Sequence, residues 1–92
     1  MKTSQEFDSV WDALEDDPIK AENMKLRSKL MTAITERMSK KGLNQTELAE
    51  FLQITQPRVS ALTQGKVEVF RLDTLINLAH RLGLQISLNI AA

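Results

Sequence analysis

The sequence predicts an all-α fold of five helices, closed by one C-terminal β-strand that pairs in a dimer. Three observations carry this. Apolar residues recur at helical spacing over most of the chain, and the three glycines and two prolines fall where helices start or stop. The last residues then switch to strict apolar/polar alternation. Ninety-two residues with 42% hydrophobic content are enough for one small core but not two. Cysteine is absent, which excludes a disulfide framework or a thiolate metal site and suits a reducing compartment. No run approaches the roughly 18 apolar residues that cross a bilayer, and the N-terminus has no apolar signal region. A soluble, cytoplasmic protein is expected.

Charge divides the chain. The formal net charge is zero, yet residues 1–17 carry six acids against one base, net −5, and residues 18–92 carry eleven bases against six acids, net +5. An acidic arm on a basic domain implies two kinds of partner. The predicted organisation is an acidic helical arm over 1–17, a helical domain over 18–83 and a dimerisation strand over 84–92.

In the arm, Thr3 and Glu6 have capping-box spacing, and Phe7, Val10, Trp11 and Leu14 recur at i, i+3, i+4 and i+7. That predicts an amphipathic helix over 4–15. It is too short to stand alone, so its stripe must dock. Either it folds back on its own domain or on a twin, or it docks on another protein, for which an aromatic anchor rimmed by acids suits a basic surface.

Asp17 as N-cap and Pro18 at the first helical position open a long helix over 18–41, with Leu26, Leu30, Ala33, Ile34 and Met38 as its core stripe and Met24 and Met31 widening it. Lys40, Lys41 and Gly42 end it. Asn44 and Glu47 then form a second capping box, starting a helix over 45–52 that buries Leu48, Ala49 and Leu52. The pattern breaks at Gln53 and Ile54. Thr55 is the N-cap and Pro57 lies in the first turn of the next helix, 56–64, which turns Val59 and Leu62 inward and closes at Gly65. Beyond Lys66, the V-E-V-F-R segment is a loop whose Phe70 plugs the core. A last helix over 72–82 points Leu72, Leu75, Leu78, Ala79 and Leu82 inward, and Gly83 stops it. Finally Leu84, Ile86, Leu88 and Ile90 alternate with Gln85, Ser87 and Asn89. A lone strand has no internal partner, so the same strand of a second copy is the expected one.

The stretch from Asn44 to Lys66, with Q-T-E-L-A-x-x-L-x-I-T-Q-x-x-V-S-x-L-x-x-G-K within it, resembles the helix-turn-helix domains of the Cro and phage-repressor kind, also called XRE-type. The resemblance covers residues 30–82 and implies a lambda-repressor-like domain that binds duplex DNA. In such domains the second helix lies in the major groove and its N-terminal half reaches base edges. The resemblance therefore makes Gln56, Pro57, Arg58, Ser60 and Ala61 the base-reading candidates. A glutamine amide suits adenine N6 and N7, Arg58 suits guanine or a phosphate, and Pro57 and Ala61 offer only apolar contact. Gln45 matches the family's phosphate-clamping glutamine, and Thr55, Gln64 and Lys66 are further phosphate candidates. The S-V-W-D-A-L-E-D and M-K-L-R-S-K-L-M segments extend the likeness to antitoxins of the host-inhibition-of-growth (HigA) kind, which neutralise a RelE-like ribonuclease toxin and repress their own operon. A stand-alone regulator without a toxin, or a protein-interaction adaptor, are the alternatives.

Catalysis has little support in these residues. His80 stands alone between Ala79 and Arg81, and neither paired carboxylates in a recognisable frame nor a phosphate-binding glycine loop is present. No enzyme activity, cofactor or metal is expected.

Overall fold

The structure, a computed structural model, describes residues 17–91. Among them are four α-helices: α1 (Pro18–Ser39), α2 (Gln45–Leu52), α3 (Gln56–Thr63) and α4 (Leu72–Arg81), with a 3-10 turn at Val67–Val69 before α4. The helix expected over 4–15, with Phe7, Val10, Trp11 and Leu14, lies outside the described residues.

Side-chain caps mark where the first two helices begin. The Asp17 carboxylate accepts from the Ile19 N–H at 2.9 Å, and Pro18 occupies a position whose N–H would have no partner. At α2 the reciprocal box forms: Asn44 Oδ1 accepts from the Glu47 N–H at 2.8 Å, while Glu47 Oε1 accepts from the Asn44 N–H at 2.9 Å. Thr55 holds the N-cap position of α3, but its side chain makes no capping bond.

The core is one cluster in which Ile34, Leu52, Val59, Leu62, Phe70, Leu75, Ala79 and Leu82 are almost wholly excluded from solvent. α1 runs chiefly along α4 and also touches α3 and the 3-10 turn, while α2 and α3 pack on each other. Two arginines of α1 fasten the ends of the α4 unit. Arg27 Nη1 donates to the Phe70 carbonyl at 2.9 Å and Arg37 Nη1 to the Leu82 carbonyl at 2.8 Å. A charged donor on a backbone carbonyl is worth about 1.5–3 kcal/mol, so these two bonds add to the apolar packing of α1 against the segment from Phe70 to Leu82.

Two expectations are corrected. The expected five-helix fold closed by a C-terminal strand is not what the described residues show: they hold four helices, residues 84–91 carry no regular secondary structure, and no strand occurs among them. Alternation of Leu84, Ile86, Leu88 and Ile90 is necessary for a half-buried strand, but a strand also needs a neighbouring edge to complete its hydrogen bonds, and four helices offer none. Leu84 alone packs against the core, while Leu88 and Ile90 are about four-fifths exposed. The second correction is to the face of α1. Met31 sits in the core at 3% exposure, whereas Leu26 is 45% exposed, because the buried line runs through Met31, Ile34 and Met38.

Candidate nucleic-acid interface

The interface candidate is built on α2, the turn after it, and α3. Gln53 turns the chain: it adopts φ 59° and ψ 43°, the left-handed region, so that its own N–H meets the Glu50 carbonyl at 3.3 Å and the Ile54 N–H meets the Ala49 carbonyl at 3.0 Å. This is the one residue other than glycine with positive φ among those described. Ala49, 8% exposed, leaves room for the two helices to approach, and Ile54 packs against the cluster from the turn. Val59 and Leu62, at 1% and 0% exposure, anchor α3 from behind.

The five base-reading candidates on α3 divide by exposure. Gln56 and Pro57 are open to solvent at its leading end. Ser60 and Ala61 are half-buried. Ala61 packs against the core, and Ser60 Oγ accepts from Gln64 Nε2 at 3.0 Å. Arg58 is also half-buried, with its guanidinium carbon 4.7 Å from the centre of the Phe70 ring. That distance is within the range of a cation–π attraction, so the ring underneath decides where the charge sits.

The phosphate candidates Gln45, Thr55, Gln64 and Lys66 are all exposed. Gln45 reaches across the turn, its Nε2 donating to the Gln56 carbonyl at 3.4 Å. The hydroxyl of Thr55 makes no capping bond to α3. The tail candidates Leu84, Ile86, Leu88 and Ile90 follow the C-terminal end of α4, where Leu84 and Ile86 line a shallow pocket with Ile76, Asn77 and His80.

Sequence reasoning missed two contacts. Gln56 Nε2 donates to Thr46 Oγ1 at 3.1 Å, ten residues away on the first turn of α2. Phe70, expected only as a core plug, also serves as the platform for Arg58. Neither pair has a spacing rule that would reveal it, since each joins different elements.

Among the described residues no helix is long and apolar enough to cross a membrane, and no three His, Asp or Glu side chains are grouped as for a metal ion. No curated protein matches the chain significantly. A family of proteins described as having a helix-turn-helix domain does match, over residues 13–91. That span takes in all four helices and the turn at Gln53, so the chain belongs to this helix-turn-helix domain family, which supports a DNA-binding regulator.

Proposed function

We propose that this protein is a sequence-specific transcriptional repressor of the XRE type that reads duplex DNA with the leading edge of α3. One observation carries the reading: Gln56 and Pro57 face solvent while Val59 and Leu62, one turn on, are buried. A rigidly backed helix with a polar front is what the major groove admits. Gln56 and Arg58 are the base readers, and Gln45, Thr55, Gln64 and Lys66 grip phosphates on either side.

One domain makes few phosphate contacts, so it binds weakly at physiological salt, and the active species is a homodimer. Apolar surface exposed among the described residues supports association. Ile76 on α4 and Ile86, Leu88 and Ile90 in the tail are between 41% and 81% exposed. Side-chain burial of that surface against a second copy is the driving force. The dimer reads a near-palindromic operator with half-sites about 34 Å apart, one helical turn.

The same protein is the antitoxin of a toxin–antitoxin pair, in which the acidic arm, through Phe7, Val10, Trp11 and Leu14, holds a RelE-like ribonuclease and the domain represses the shared operon in the cytoplasm. The charge division and the likeness of the quoted segments to HigA-type antitoxins support this part. Footprinting on the protein's own promoter tests the regulator: Gln56→Ala and Arg58→Ala should abolish protection, and unchanged protection would refute the base-reading assignment. Pull-down of the product of the adjacent gene, lost on deletion of residues 1–17, tests the antitoxin role separately.

A further inference from the structure

We infer that Thr46 is a specificity-determining positioning residue, which holds the Gln56 amide ready to read one base of the operator. This rests on the proposal that α3 reads DNA, and it assigns a role to a residue of the other helix. Thr46 is exposed, in the first turn of α2, and makes no part of the core. Its Oγ1 nevertheless takes a hydrogen bond of 3.1 Å from Gln56 Nε2. On the backbone side of the same residue, Gln45 Nε2 donates to the Gln56 carbonyl at 3.4 Å. Adjacent residues of α2 therefore hold both the main chain and the side chain of Gln56.

The chemistry of a primary amide makes this useful. It carries two N–H groups, one beside its carbonyl and one turned away. Adenine is read by the carbonyl oxygen together with the N–H beside it, which match N6–H and N7. The remaining N–H plays no part in that edge, and it can stay on Thr46 while the base is bound. A free glutamine must freeze three torsions on binding, each a loss of freedom that weakens the contact. A side chain held on Thr46 presents that carbonyl and N–H pair without turning, whereas a base that needs another orientation must break the bond, so the right base gains relative to the wrong ones.

The test uses the full-length protein and duplexes selected from a random-sequence pool by the wild type. At the base pair whose preference disappears in Gln56→Ala, affinities are measured for all four bases. Thr46→Val keeps shape and removes the hydroxyl, and should narrow the discrimination there by about two- to tenfold, the worth of one hydrogen bond. Melting temperature should fall by no more than the few degrees that one exposed hydrogen bond contributes, and affinity for non-specific duplex should not change, which separates positioning from a structural role. Thr46→Ser, which retains the hydroxyl, should restore discrimination. Full discrimination by Thr46→Val overturns the inference while leaving α3 as the DNA reader. Wild-type protein that selects no sequence overturns both.

Discussion

Replacing Gln53 with glycine tests how the turn between α2 and α3 is made. Gln53 lies at φ 59° and ψ 43°, the centre of the left-handed region, where a Cβ crowds the following carbonyl. The strain is about 1–2 kcal/mol for a non-glycine residue. Glycine removes it but brings extra freedom to the unfolded chain, a cost of about 0.5–1 kcal/mol. The Gln53 side chain is exposed and makes no hydrogen bond among the described residues, so backbone strain and chain freedom dominate the balance. Gln53→Gly should therefore stabilise the domain by roughly 0.5–1 kcal/mol, raising the melting temperature by about 2–8 °C for a domain of this size. Gln53→Ala keeps the Cβ and should stay within about 0.5 kcal/mol of wild type. Circular dichroism melts and urea titrations of the three proteins measure both numbers. A glycine variant that melts at or below wild type, or an alanine variant that gains as much, would refute the argument that backbone strain is concentrated at this turn.

Three further outcomes follow from the packing and the proposed interface. Leu62→Ala empties a fully buried position behind α3 and should cost about 2–5 kcal/mol in urea titration, a large share of the 5–15 kcal/mol that a small domain possesses. Arg58→Ala should lose about 0.5–2 kcal/mol of stability from the Phe70 face and also weaken binding to the selected operator; a stability loss with unchanged operator affinity would leave Arg58 with a packing role only. Lys66→Ala should lower affinity evenly across DNA sequences and reduce the slope of log affinity against log salt by about 0.9 per removed contact, and an unaltered slope would take Lys66 off the phosphate backbone.

Much of the domain is legible in one dimension because its signals are local. The Asn44/Glu47 box, Asp17 before Pro18, and Gly83 after the last helix each act within a few residues, and the helices begin or end where those residues place them. Inward positions of the short helices, such as Leu52, Val59, Leu62 and Leu75, follow from a 3.6-residue period. What the chain in isolation could not decide was everything that depends on a neighbour. A period of two in the tail states which residues share a face, but only an adjacent edge turns that into a strand, and the four helices supply none. On α1, 22 residues long with apolar side chains spread around it, the direction of α4 settled that Met31 rather than Leu26 is buried. Thr46 beneath Gln56 and Phe70 beneath Arg58 arise because folding brings separate segments within 3–5 Å, a relation that only the tertiary structure creates.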